Sequence, residues 1–351
     1  MSKIALITDL HFGVRGGRAV FHDFFQRFYL EVLFPFMRAN NIKHILNLGD
    51  TFDSRKGIDF YSLQRCREYF FDPLRDNGFT MDMLVGNHDA YHKNSLSINA
   101  PENLLKDYAN VNPISKPTEI SVDGLKILMM PWICADNYAD SMESIKQTKA
   151  TLLMGHLEIA GALMYRGSES HDGFDKRLFT KFDLVCSGHY HHRSSFDNVV
   201  YLGNPYEITW QDYNDQRGFH VLDTETRELT FYPNPFTIHE RVVYDDTQID
   251  PAGIDLSAAA GKFLKIVVQK KTDFYKFDLF IDRAYNCNAV EVKIIDDAVE
   301  LLADDMDETV DIESTEQILT HYVKTAEVDV DRAKLERYIQ SLYSSALSTE
   351  T

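Results

Sequence analysis

Along the first 240 residues, short apolar runs alternate with longer stretches whose apolar positions recur every three or four residues. Residues 4–7, 44–48, 81–85, 151–154 and 184–186 have the length and flanking of buried strands. The longer period predicts helices over 21–40, 61–77, 101–108 and 140–148. After Pro113 the connections shorten, and further strands are expected at 119–122, 126–129, 199–202, 218–223 and 228–232. That order suits an α/β (α+β) fold, with two sheets packed face to face and flanked by helices over residues 1–240.

Pro233-Asn234-Pro235 closes this region with a turn. A strand at 263–270, a helix at 276–285 and a strand at 289–295 then make a small α/β module over 241–300. Residues 301–313 form an acidic linker around Asp304-Asp305-Met306-Asp307-Glu308. Two short amphipathic helices are expected over 314–351. The first opens with a capping box, Ser314-Thr315-Glu316-Gln317, and gathers Ile318, Leu319 and Tyr322 on one face. The second places Leu335, Tyr338, Ile339 and Leu342 alike. Such helices have little core of their own. Their apolar faces must dock on the parent domain or on a partner, and the tether favours a partner.

The strand ends carry the chemistry. Asp9-Leu10-His11, Gly49-Asp50, Gly86-Asn87-His88-Asp89, Gly155-His156 and Gly188-His189-Tyr190-His191 each close a strand-like run. Loops beyond strand ends are where open α/β sheets build their sites. Two carboxylates, an amide and four imidazoles, with no thiolate, suit two divalent cations of the Mn²⁺, Fe or Zn²⁺ type. Asp9 and His11 are two residues apart, so an extended segment points both to one side. Asp50 is placed to bridge, Asn87 offers a neutral oxygen, and His156 with His189 or His191 completes the shells. His88 is placed to protonate a leaving oxygen, with Asp89 orienting its ring. Two cations held ~3.5–4 Å apart activate water and neutralise phosphoryl oxygens, so the set points to phosphoester hydrolysis. Taken singly, each motif reads as a turn or a surface histidine tract. Their conjunction does not.

Charge complicates the choice of substrate. The net charge of −18 argues against nucleic acid, but residues 296–351 carry 15 acidic against 4 basic side chains. That leaves only −7 on the other 295 residues, and two dications would make the cleft attractive to phosphate. The four cysteines form no C-x-x-C pair and read as reduced core thiols. The greasiest stretch, 24–37, is interrupted by Gln26, Arg27, Glu31 and Pro35, short of the ~20 apolar residues a membrane span needs. A soluble, cytoplasmic protein is expected.

Together these motifs resemble the calcineurin-like metallophosphoesterase superfamily, whose pattern runs D-x-H, G-D, G-N-H, a lone histidine, then G-H-x-H. All five are intact over about residues 4–192. Asp50-Thr51-Phe52-Asp53, Pro131-Trp132, His156-Leu157-Glu158, Gly203-Asn204-Pro205, Arg217-Gly218-Phe219 and Asp223-Thr224-Glu225-Thr226 narrow the similarity. They point to the SbcD-type nucleases of double-strand-break repair, and to their bacteriophage branch above all. The resemblance implies one metal among Asp9, His11, Asp50 and His191, and another among Asp50, Asn87, His156 and His189. It makes His88 the catalytic histidine and Mn²⁺ the expected metal. It implies exonuclease action on duplex ends and endonuclease action on single strands, in the host cytoplasm if the chain is phage-encoded. It also implies an SbcC-type (SMC-like) ATPase bound by the terminal helices, and a homodimer formed through helices among 61–77 and 96–108. Asp53 stands where some relatives carry histidine, and is expected to support its loop. Arg15, Arg18, Arg55, Lys56 and Lys93 are candidate DNA contacts.

Two rival readings remain. A phosphoprotein or small-molecule phosphoesterase would keep the site and change the substrate. Protein phosphatases, however, end the third motif in Glu where Asp89 stands, and lack the small module and helix pair. An inactive scaffold would be expected to lose ligands, and none is missing.

Overall fold

The computed structural model describes residues 3–165 and 168–296. The linker over 301–313 and the helix pair over 314–351, with Ile318, Leu319, Tyr322, Leu335, Tyr338, Ile339 and Leu342, lie outside the described residues.

Twelve strands form two six-stranded sheets. In chain order they are β1 (Lys3–Ile7), β2 (His44–Asn47), β3 (Thr80–Leu84), β4 (Val111–Ile114), β5 (Thr118–Val122) and β6 (Leu125–Met130). These are followed by β7 (Leu152–His156), β8 (Leu184–Gly188), β9 (Ser194–Phe196), β10 (Val199–Tyr201), β11 (Gly218–Asp223) and β12 (Leu229–Pro233). The first sheet runs β12-β11-β1-β2-β3-β4, with β1 to β4 mutually parallel. The second runs β9-β10-β8-β7-β6-β5, parallel from β10 through β6.

Alternation along the strands sorts side chains into three layers. Ile4, Leu6, Leu46, Leu84, Met129, Leu152, Met154 and Cys186 fill the space between the sheets. Ala5, Ile7, Ile45 and Met83 face the helices on the outer side of the first sheet. Leu153, Val185 and Tyr201 face outward from the second.

The two long predicted helices are both interrupted. Pro35 and Pro73 have no N–H to give the carbonyl one turn back. In each helix the preceding turn widens into π-helix, at Phe28–Leu33 and Arg67–Phe71. The helix expected over 101–108 is a single short turn, Ala100–Leu104. Aromatic rings fill the layer beneath: Phe12, Phe25, Tyr29, Phe52, Phe70 and Tyr206 are all buried, and Phe25 stacks on Tyr206 with centroids 3.7 Å apart.

A third sheet follows, with β13 (His239–Asp245), β14 (Phe263–Lys270) and β15 (Glu291–Ile295) all parallel and a helix at Phe274–Tyr285. It has its own apolar core around Tyr244, Leu264, Ile266 and Phe280. It contacts the sandwich through Phe263, which stacks on Phe21 at 5.5 Å. No helix among the described residues is long and apolar enough to cross a membrane.

Candidate metal centre

All seven predicted donors lie at the carboxyl ends of parallel strands. Asp9 and His11 follow β1, Asp50 follows β2 and Asn87 follows β3. His156 ends β7, and His189 and His191 follow β8. Beyond β1 and β2 the two chains stay zipped. Asp9 N–H donates to Gly49 O at 3.0 Å, His11 N–H to Asp50 O at 3.1 Å, and Phe12 N–H to Thr51 O at 2.9 Å. Phe12 and Phe52 then anchor both loops in the aromatic layer. Asp9, His11, Asp50 and His189 all adopt left-handed backbone, with φ of 53°, 45°, 50° and 89°. Non-glycine residues persist there only where their surroundings over-determine them, and such strain collects at functional sites.

The donors gather into two groups. Ligand atoms of Asp9, His11 and His191 lie within 4.8 Å of one another, as do those of Asp50, His156 and His189. Asp50 stands between the groups, its Oδ2 3.1 Å from His156 Nε2 and 4.0 Å from His11 Nε2. Asn87 Oδ1 lies 2.9 Å from His156 Nε2 and 3.1 Å from His189 Nδ1. His11 Nε2 and His191 Nε2 are 3.0 Å apart. Such spacings suit neighbouring ligands on a shared cation of about 2.1 Å bond length.

Hydrogen bonds behind the donors fix which ring atoms face inward. His156 Nδ1 donates to Leu48 O at 2.8 Å, which leaves Nε2 as a donor for metal. His11 Nδ1 meets Asp53 Oδ1 at 3.1 Å, with the same result. His189 N–H donates to both Asp9 oxygens, at 3.1 and 3.2 Å, and so ties one sheet to the other. The motif glycines answer to close approach. A Cβ on Gly86 would run into Asp50 Oδ1, and one on Gly188 would lie 3.0 Å from His156 Nδ1.

Electrostatics show what the nest of carboxylates demands. Burial alone would push the Asp50 carboxyl up, but the imidazoles of His156, His88 and His11 outweigh it and hold the group well below the usual carboxylate range. Burial likewise opposes charge on His156, yet Asp50 and then Asp9 push its pKa up to about 9. A proton on His156 supplies positive charge that a dication would supply instead, so proton and metal compete for the site. The donor set therefore fits divalent cations.

The geometry revises one expectation. Asp89 does not orient His88. Its carboxylate accepts from Phe52 N–H at 3.0 Å and Gly86 N–H at 2.9 Å, stapling the second motif to the third. Burial, then the nearby Asp50 charge, push its pKa up to about 6. The His88 ring is held instead by Asp53, whose carbonyl accepts from Nδ1 at 2.6 Å. Arg18, a candidate DNA contact, turns to the small module, with its guanidinium 4.9 Å from the centre of Phe263 and 3.4 Å from Glu291. Arg15, Lys56 and Lys93 are exposed, and Arg55 is half-buried.

Motif reading assigns Asp53 only a loop role, whereas it supports both His11 and His88. It does not reveal Trp132 as a wall, its ring 5.1 Å from that of His189. Nor does it reveal the buried Arg217, which pairs with Asp212 at 2.8 Å and Asp215 at 2.7 Å and donates to Asn204 Oδ1 and His191 O. Both stand in stretches that carry the resemblance, Pro131-Trp132 and Arg217-Gly218-Phe219, but those stretches name neither role.

A model of the calcineurin-like phosphoesterase family matches residues 2–193. The chain is 33% identical to exonuclease subunit 1 of enterobacteria phage T4, over 98% of this chain and 99% of that one. It is 26% identical to the SbcD component of the nuclease SbcCD of Staphylococcus epidermidis, over 66% and 69%. Among solved structures, a dimetal phosphatase of Danio rerio overlaps 66% of this chain and 95% of its own at 11% identity, with a TM-score of 0.40.

Proposed function

The chain belongs to the calcineurin-like phosphoesterase family, and on that premise we propose that it is the nuclease subunit of an ATP-dependent DNA recombination or repair complex. The observation that carries this reading is the convergence of seven donors into two groups around Asp50, in a chain that aligns end to end with a phage exonuclease subunit. Asp9, His11 and His191 would hold one divalent cation and Asn87, His156 and His189 the other, with Asp50 shared. Mn²⁺ suits this mixture of oxygen and imidazole donors. When bound, the pair supplies an activated water and charge to offset the phosphoryl oxygens.

The chain's own residues do the rest. Asp50 Oδ1 accepts from His88 N–H at 2.8 Å, so the Asp50 carboxylate and the third motif hold each other in place. His88 Nδ1 is committed to the Asp53 carbonyl, which leaves Nε2 as the working atom. As an imidazolium it presents Nε2–H, and delivers that proton to the leaving 3′ or 5′ oxygen. Asp89 and Asp53 act as positioning residues. Arg15, Arg55, Lys56 and Lys93 remain the basic side chains offered to a DNA backbone.

Residues 1–240 form the catalytic unit in this reading, 241–300 a DNA-facing cap, and 314–351 the dock for an SbcC-type ATPase. A second copy would pair through the helix that opens with Phe60 and Tyr61 and through the segment 96–108, where Ile98 lies on a short strand; their exposure supports it, Phe60 being 92% exposed. The protein would act in the cytoplasm.

The purified protein with Mn²⁺ is expected to degrade linear duplex DNA. His88→Ala should abolish degradation while bound Mn²⁺, measured by calorimetry, is unchanged. Phosphopeptide hydrolysis without DNA cleavage would overturn the substrate, and full activity in His88→Ala would overturn the role of this ring.

A further inference from the structure

A cavity of about 500 Å³ opens on the side of the sandwich away from β4 and β5, where β11 and β12 of one sheet face β9 and β10 of the other. None of the seven metal donors lines it. The inter-sheet core runs out here, and polar groups replace the leucines and methionines found deeper in. His220 shares the inner face of β11 with Leu222, in a position where an aliphatic side chain would pack at lower cost. It is 3% exposed, and its Nδ1 has no hydrogen-bond partner. Ser194 Oγ, also lining the cavity, is buried and lacks a partner too. Each such orphan costs about 1–3 kcal/mol unless something in the cavity meets it.

The walls indicate what that something is. The Arg193 guanidinium lies 4.1 Å from the centre of the Phe231 ring, which in turn is 5.0 Å from the His220 ring. Arg227, at the other end, is held by Asp183. Burial, and then Arg193, keep His220 neutral, with a pKa lowered to about 3. Two arginines against one carboxylate leave the cavity one positive charge in excess. Its donors outnumber the two oxygens of a carboxylate ligand and suit the three of a phosphate monoester. Leu184, Val200, Leu229 and Phe231 supply an apolar wall beside them. The volume falls within the range of small-ligand pockets.

We infer that this open side of the sandwich binds a small phosphate monoester with an apolar body, for which a mononucleotide is the natural probe. Arg193 and Ser194 receive the phosphate, His220 Nδ1 bonds a polar atom of the ligand, and the Phe231 side holds the apolar part. The inference does not depend on DNA being the substrate of the metal centre.

The test is calorimetric titration of the full-length protein in EDTA, so that metal at the catalytic centre cannot capture phosphate. The probes are deoxyadenosine monophosphate, deoxyadenosine, glycerol phosphate and inorganic phosphate. Saturable binding of the mononucleotide is expected, with deoxyadenosine weaker by about tenfold or more for want of the charge-assisted contact to Arg193, and inorganic phosphate weaker by about tenfold or more for want of apolar burial. Glycerol phosphate, a monoester without an apolar body, should bind more weakly than the mononucleotide, and equal binding would overturn the role given to the Phe231 wall. Arg193→Gln and His220→Leu should each weaken the mononucleotide by about tenfold. His220→Leu should melt no lower than the parent, which separates lost recognition from lost folding. Absence of saturable mononucleotide binding at millimolar concentration would overturn the proposal. So would binding that both variants leave intact, or inorganic phosphate binding equally well.

Discussion

Asp53 offers a sharp separation of metal binding from catalysis, because its two halves serve different histidines. Its carboxylate lies 3.1 Å from His11 Nδ1, and its backbone carbonyl accepts from His88 Nδ1 at 2.6 Å. Asp53→Ala removes the first contact and keeps the second. The carboxylate also raises the basicity of His11 against the effect of burial, so its loss weakens that ring as a ligand. Removing a carboxylate behind a metal-bound histidine typically costs about 10–100-fold in metal affinity, or about 1.4–2.7 kcal/mol. Asp53→Asn keeps an acceptor without its charge and should fall in the lower part of that range. The side chain is 32% exposed, so folding stability should barely move. The assay is hydrolysis of a chromogenic phosphodiester over a Mn²⁺ titration, fitted for half-saturation and limiting rate. Half-saturation should rise by about 10–100-fold, while the limiting rate holds because His88 keeps its support. An unchanged Mn²⁺ requirement in Asp53→Ala would refute the supporting role of the carboxylate. A fallen limiting rate at unchanged half-saturation would refute the division of labour.

Arg217→Met should destabilise the fold by about 3–5 kcal/mol in urea unfolding, because it leaves the buried Asp212 carboxylate without its cation. A loss below about 1 kcal/mol would show that Arg217 does not hold the His191 segment. His220 should make the protein acid-sensitive. Its folded pKa, about 3, lies below the unfolded value of about 6.5, so the unfolded chain takes up a proton first as pH falls through that window. Stability then drops by up to about 1.4 kcal/mol per pH unit below about 6.5, with no contribution above it. The advantage of His220→Leu over the parent should therefore widen between pH 7 and pH 5, and a constant difference would refute a buried neutral imidazole. Deleting residues 314–351 should preserve Mn²⁺-dependent cleavage while abolishing association with the ATPase in size-exclusion chromatography. An undiminished complex would move the dock elsewhere.

What can be read from the sequence is the chemistry carried by residues adjacent along the chain. Asp9-Leu10-His11 and Gly188-His189-Tyr190-His191 announce themselves because each motif ends a run of apolar residues, and the fold collects strand ends of one direction into one rim. What cannot be read depends on approach in space. β4 escapes the pattern because it contains Pro113, yet it is an edge strand, where a missing N–H is tolerated. β13 escapes it because His239-Glu240-Arg241 masks its alternation. The π-helical turns follow from Pro35 and Pro73, but a proline in a helical pattern signals a break as readily as a widened turn.

Asp89 shows why adjacency misleads within a motif as well. Neighbouring side chains diverge, so the carboxylate beside His88 reaches back to Phe52 and Gly86, while a carbonyl from another motif 35 residues away holds the imidazole. The same holds where the two donor groups meet. The separation of Asp9 and His11 from Asp50 is set by main-chain hydrogen bonds between the two loops, which any residue type could make. The side chains name the ligands, but the backbone ladder that extends β1 and β2 past their last residues decides that Asp50 stands between the two groups. A substitution that disturbs this ladder without touching a ligand should therefore damage the centre as surely as removing one.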